Sequence, residues 1–125
     1  MGWSNMFINL NKDSDDYVSI ERIEEFVNHH NNYTEFFNED ELKKMDETDE
    51  LPGEDLELKV LIQQVNNKNY YWAYLGNHGG SGHTFEWKEK YFPDIKMYHS
   101  GDYVHYNDGW IKWPLLTVEE YKENN

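Results

Sequence analysis

The chain opens on an alternation. Across residues 3–10, Met6, Ile8 and Leu10 recur at every second position, which predicts a first β-strand with one apolar face. A polar turn, Asn11 to Asp16, ends it. The period then lengthens. Ile20, Ile23, Val27 and His30 fall on one helical face, Glu21, Glu24, Glu25 and Asn28 fall on others, and Ser19 stands where an N-cap belongs. A helix over about 20–30 is expected. A second helix over 35–45 follows, with Thr34 as one cap and Asn38 with Glu41 as an alternative capping box. Residues 46–55, in which Pro52 and Gly53 sit among six carboxylates, read as an acidic loop.

From Leu56 the period returns to two. Leu56, Leu58, Val60 and Ile62 alternate with Glu57, Lys59, Leu61 and Gln63, a strand pattern, and Asn66 to Asn69 make a turn. Pairing Val65 with Tyr70 puts Leu58, Val60, Ile62, Ala73 and Leu75 on one face. Leu61, Gln63, Val65, Tyr70, Trp72 and Tyr74 then share the other. A glycine-rich loop, 77–82, leads to an expected strand over His83–Trp87 and a break at Pro93-Asp94. In 95–113, Gly101-Asp102 and Asp108-Gly109 suit two-residue hairpin turns. Pairing Ser100 with Tyr103 and Asn107 with Trp110 places Ile95, Met97, Val104, Tyr106, Ile111 and Trp113 on one face. Lys96, Tyr98, Tyr103, His105, Trp110 and Lys112 fall on the other. Thr117 with Glu120 is a capping box for a short C-terminal helix. Together these elements predict one domain over 1–125 of class α+β. Its antiparallel or mixed sheet would have about five to six strands, with two helices on one side and a short C-terminal helix.

Charge sharpens the picture. Residues 1–55 hold 16 acids and 4 bases, and residues 56–125 hold 9 and 7, so nearly all of the net −14 lies in the first half. Such a field repels nucleic acid and anionic lipid and raises association rates with basic proteins. Only Arg22 among eleven bases is arginine, a skew that fits an AT-rich coding sequence of a bacterium or its phage. No run approaches the roughly 18 apolar residues of a membrane span. The N-terminus lacks the pattern of a secretory signal, and Met6 stands where a myristoylation motif wants Ser or Thr. A cytoplasmic protein is expected. Without cysteine there is no disulfide or thiol chemistry.

Four groups of residues are candidates for chemistry. The first is acidic: Glu35, Glu39, Asp40, Glu41, Asp46, Glu47, Asp49 and Glu50, with Glu54 and Asp55 beyond, against only Lys43 and Lys44. Carboxylates held on a helix can imitate a row of phosphates; the plainer reading is a solubilising surface. The second is aromatic: Tyr70, Trp72, Tyr74, Tyr98, Tyr103 and Trp110 lie opposite the predicted core faces, where rings serve as hot spots. Alternatively, those rings are covered by helices or loops on both faces. The third is histidine. His78, His83, His99 and His105 match no zinc spacing, because His99 and His105 point to opposite faces and a metal needs about three convergent ligands. His29-His30 reads as a favourable partner of a helix C-terminus. The fourth, Gly79-Gly80-Ser81-Gly82, lacks the Lys-Ser/Thr pair of a phosphate loop and reads as a connection. No serine elbow, cysteine nucleophile or distinct carboxylate pair appears. No enzyme, metal or cofactor is expected.

In size and charge alone the chain resembles bacterial immunity proteins for nuclease toxins and phage anti-restriction or anti-CRISPR proteins. That resemblance implies a small acidic inhibitor, in the manner of a DNA mimic, that blocks a basic, nucleic-acid-handling protein and binds neither nucleic acid nor membrane. A small-molecule or glycan-binding module using the aromatic faces is the alternative. A metal-dependent enzyme using the histidines is a weaker third.

Overall fold

The sheet is organised by the β2–β3 hairpin. In the computed structural model, which describes residues 4–53, 55–77, 83–99 and 115–123, β2 spans Glu57–Val65 and β3 spans Lys68–Asn77. They pair antiparallel from Glu57↔Gly76 to Val65↔Lys68. The turn is therefore two residues, Asn66-Asn67, both left-handed at φ 53° and 65°. Asparagine is among the few side chains that tolerate such φ, and two in succession give the type I′ turn whose twist matches the strands. The expected pairing of Val65 with Tyr70 is thus corrected to Gln63↔Tyr70. Because the slip is two residues, the described side chains of the hairpin keep their predicted faces.

β1 (Ser4–Asn9) joins the other side of β3, from Ser4↔Asn77 to Asn9↔Trp72. Two-residue strands close the edges: β4 (Tyr98–His99) on β1 and β5 (Leu115–Leu116) on β2. The order is β4-β1-β3-β2-β5, and each pairing is antiparallel. The expected sheet of about five to six strands is not supported among the described residues. Three strands of six to ten residues carry the sheet, and each edge adds only a two-residue bridge. Both hairpin turns expected within 100–114 lie outside the described residues.

Helix α1 (Ile20–Asn31) begins where the Ser19 hydroxyl accepts from the Arg22 N–H at 3.2 Å, and buries Ile20, Ile23, Phe26 and His30. A 3-10 turn, Tyr33–Glu35, follows. Helix α2 (Glu39–Glu47) starts at the Asn38–Glu41 capping box, with both reciprocal bonds at 2.8 Å. The expected span of 35–45 is therefore corrected, and Glu35 stands outside this helix. α2 ends in a Schellman turn: Glu50 N–H reaches Met45 O at 2.8 Å and Asp49 N–H reaches Asp46 O at 3.2 Å. Asp49 occupies its left-handed position, φ 58°, where glycine is usual.

The expected strand over 83–87 is a helix instead, α3 (His83–Tyr91). Thr84, Trp87 and Lys88 are buried and Tyr91 packs against the core, the i, i+3, i+4, i+7 spacing of one helical face. The alternation of Phe85 and Trp87 hid that period, because Lys88 counts as a core position. Its stem is buried, and its ammonium donates to Ile95 O at 2.6 Å and meets Glu89 Oε2 at 2.6 Å. A short C-terminal helix, α4 (Val118–Glu123), follows the Thr117–Glu120 capping box. Four α-helices, rather than two and a short third, lie among the described residues.

The main core sits on one face of the sheet. Met6, Ile8, Leu10, Val60, Ala73, Leu75, Ile95 and Met97 meet Ile20, Ile23 and Phe26 of α1, Met45 of α2, Trp87 of α3 and Tyr121 of α4. On the other face Phe7 and Leu61, both 0% exposed, are packed by Trp72, Tyr74 and Tyr98.

Asparagine also does structural work at the ends of strands. The Asn31 amide bonds both backbone groups of Leu56, at 2.8 and 3.0 Å, and Asn11 does the same for Tyr71, at 2.9 and 3.1 Å. Asn31 stands in for a strand neighbour at Leu56, and Asn11 supplies the acceptor for the Tyr71 N–H while the Leu10 N–H also donates to Tyr71 O at 3.1 Å.

Candidate functional site

All eight predicted acidic residues are exposed. Three are engaged locally. Glu41 closes the capping box. Glu50 bonds Lys90 at 2.8 Å and also accepts from Thr48, and those bonds, the lysine's first, hold its carboxyl below the usual range. Asp49 stands 3.5 Å from His83 Nε2. Glu35, Glu39, Asp40, Asp46 and Glu47 make no side-chain hydrogen bond or ion pair among the described residues. On α2 the rise of about 1.5 Å per residue separates Glu39 and Asp40 from Asp46 and Glu47 by roughly 10 Å along the axis.

The acidic segment borders a cleft of about 250 Å³ lined by Asp49, Glu50, His83, Glu86, Trp87 and Lys90. His83 lies between two carboxylates, with Glu86 3.2 Å from Nδ1. The cleft ties the loop after α2 to both ends of α3. A second cleft, about 320 Å³, opens at the far end of the sheet, where Lys12, Asp13 and Ser14 face Lys68, Tyr70, Tyr71 and Tyr121.

Among the predicted sheet aromatics, Trp72, Tyr74 and Tyr98 pack against Phe7 and Leu61. Tyr70, Trp72, Tyr74 and Tyr98 are all half-buried. Trp72 Nε1 donates to Gln63 Oε1 at 2.9 Å, Tyr74 meets Phe7 edge-on at 5.4 Å, and Trp72 meets Tyr98 at 6.1 Å. The Tyr98 hydroxyl donates to the Asp16 carboxylate, which Asn9 Nδ2 also reaches at 2.8 Å. Tyr103 and Trp110 lie outside the described residues.

A different aromatic group was missed in the sequence. Phe36, Phe37 and Tyr91 all contact the ring of His29, at centroid distances of 4.6, 5.7 and 5.1 Å. Trp87 Nε1 donates to His29 Nδ1 at 3.1 Å. Phe37 turns inward against the core, whereas Phe36 is 47% exposed, the large apolar side chain most open to solvent among the described residues. The signal available was only that Phe36-Phe37 precedes a strong cap at Asn38.

His29 and His30 serve this packing. His30, 1% exposed, lies between Asn31 Oδ1 at 2.9 Å and Thr84 Oγ1 at 3.0 Å. Asn31 Oδ1 already accepts from Leu56 N–H, so His30 Nδ1 donates to it and Nε2 accepts from the threonine hydroxyl. Burial lowers the pKa of both His29 and His30. Both rings stand in the last turn of α1, as expected, and their burial disfavours the cationic form there. Among the described residues no group of three or more His, Asp or Glu side chains could hold a metal ion. His78 and His105 lie outside those residues. Nor is any helix among them long and apolar enough to cross a membrane. Comparison with protein-family models, curated proteins and solved structures gave no match.

Proposed function

We propose that this protein is a small acidic inhibitor that binds and occludes a basic, nucleic-acid-handling protein, and that it does no catalysis. One observation carries the reading. Glu35, Glu39, Asp40, Asp46 and Glu47 are solvent-exposed and unengaged by side-chain partners among the described residues, on and beside a helix that buries only Met45. Carboxylates so placed are preorganised for an external cation and lose no internal bond on binding one. They steer a basic partner electrostatically and stand in for phosphates at its nucleic-acid groove. The same field disfavours direct contact with nucleic acid or anionic membrane.

The test is kinetic. A partner captured from the source cells at low salt is purified, and association is followed by stopped flow at several salt concentrations. The on-rate is expected to fall steeply, because exposed charges are screened over about 8 Å at physiological ionic strength. The triple variant Glu39→Lys, Asp40→Lys, Glu47→Lys is expected to slow association about tenfold or more, with dissociation little changed and with circular dichroism and Tm near wild type. A flat salt dependence with normal binding by the triple variant overturns the reading, as does micromolar binding of DNA or RNA at low salt.

A ligand-binding module is the second reading, favoured by the cleft where Tyr70, Tyr71 and Tyr121 gather beside Lys12 and Lys68. It predicts binding that Tyr70→Ala removes and the triple variant leaves intact.

A further inference from the structure

We propose that the surface formed by Phe36, Phe37 and Tyr91 around His29, flanked by Glu35, Glu39 and Asp40, is the docking face for a basic segment carrying an apolar anchor residue. The inference rests on the inhibitor reading and adds to it the place and chemistry of the short-range contact. Isolated exposed apolar side chains are ordinary. Three observations set Phe36 apart.

The first is rigidity. Phe36 lies against His29 at 4.6 Å, His29 is held by the Trp87 indole N–H, and the Phe36 backbone N–H is bonded to Tyr33 O at 3.0 Å. A side chain already held in place loses little entropy when a partner covers it. The second is continuity. Phe37 and Tyr91, 5.6 Å apart, are only half-buried, so the exposed ring adjoins further aromatic surface. The third is charge. Glu35 adjoins Phe36 in the chain, and Glu39 and Asp40 open α2 two residues beyond Phe37; all three are exposed and unpaired among the described residues.

An apolar centre with a charged rim is the anatomy of a specific protein interface. Residues 33–50 carry eight acids and two bases, so a cationic occupant is selected. A second copy of the chain would bring the same negative field and be repelled. Acidic and aromatic side chains are thus both present within residues 29–40 and Tyr91.

Two synthetic peptides of equal length and charge test this, one with Lys and Leu at helical spacing and one with Lys and Ser. Binding to isotope-labelled full-length protein is followed by NMR at low salt. The Lys/Leu peptide is expected to saturate, with amide shifts centred on residues 29–40 and 87–91, and the Lys/Ser peptide to bind at least tenfold more weakly. Phe36→Ala should lose that preference and Phe36→Leu should retain it, both with native-like spectra elsewhere. Equal binding of the two peptides, or a Phe36→Ala variant with the wild-type preference, overturns the proposal. If the Lys, Asp and Glu contacts still govern binding in that case, so that the triple reversal abolishes it, the inhibitor reading stands without the anchor. No binding of either peptide overturns both.

Discussion

Helices α2 and α3 are each nine residues long and pack on the same side of the sheet, yet their sequences are read in opposite ways. α2 has five acids and buries Met45, while α3 has balanced charges and buries Thr84, Trp87 and Lys88. α2 is held by its ends, through the Asn38–Glu41 box and the Schellman turn at Asp49. α3 is held by its face, through the rings around Trp87 and the lysine bond to Ile95 O. A helix fixed by local caps has its outer surface free for binding, because few of its side chains are needed inside. One fixed by packing does not. That contrast is why the functional proposal rests on α2 and its entry turn, with α3 as the support beneath.

The largest expected effect is that of Trp87→Ala. The ring is 3% exposed and meets His29, Tyr33, Phe37 and Tyr91, so removing it should destabilise the domain by about 3–5 kcal/mol in urea unfolding, as at other buried aromatics. Three simultaneous charge reversals on α2 should by contrast move stability little, since surface substitutions usually fall within about 0.5 kcal/mol each. Similar losses from the two would mean that α2 is as embedded as α3.

Next in size is a dependence on pH that belongs to the seam between α1 and α3. Burial lowers the pKa of His29 and His30 in the folded state, for His30 against a smaller opposing pull from the Asn31 bond and Asp55. As pH falls, the unfolded chain takes up protons first. The stabilisation is therefore complete above the ordinary histidine pKa of about 6.5 and is lost as pH falls below it towards the folded values, at up to about 1.4 kcal/mol per pH unit for each ring. Unfolding curves from pH 7.5 to 5 should show this slope, and His30→Gln should flatten part of it while lowering stability at pH 7.5. An unchanged slope would place the titrating groups elsewhere.

The smallest expected effect is at the C-terminal turn of α2. Asp49 holds a left-handed position that glycine adopts without strain, so Asp49→Gly should stabilise α2 by a few tenths of a kcal/mol, up to about 1. If the carboxylate is retained for binding, the same variant should weaken association with the basic partner while melting slightly higher. Higher stability with unaltered kinetics would remove Asp49 from the interface.

Ser19, Asn38–Glu41 and Thr117–Glu120 announce three helix starts, because a cap is made between residues three apart and needs nothing distant. The acidic candidates were legible as exposed for the same reason: isolated carboxylates are rarely buried. Phe36 was not. Two adjacent phenylalanines carry no mark of which turns inward, and that depends on Tyr91 and Trp87 arriving from a helix some fifty residues away.

What the sequence determined by itself was parity and termini. Alternation assigns Met6, Ile8, Val60, Ala73 and Leu75 to one face, and a two-residue slip in the hairpin leaves that assignment intact because side-chain direction repeats every two residues. Tertiary structure alone decided the fates of the polar side chains. Lys88 became a core residue because Ile95 O and Glu89 meet its ammonium, and His30 another because Thr84 and Asn31 meet its two nitrogens. Asn31 became a substitute for a strand neighbour at Leu56, and Asn11 the acceptor for the Tyr71 N–H, in the same way. An apolar side chain is driven inward by its own contact with water. A polar one enters only where a distant partner replaces that water, and the partner is chosen by the fold.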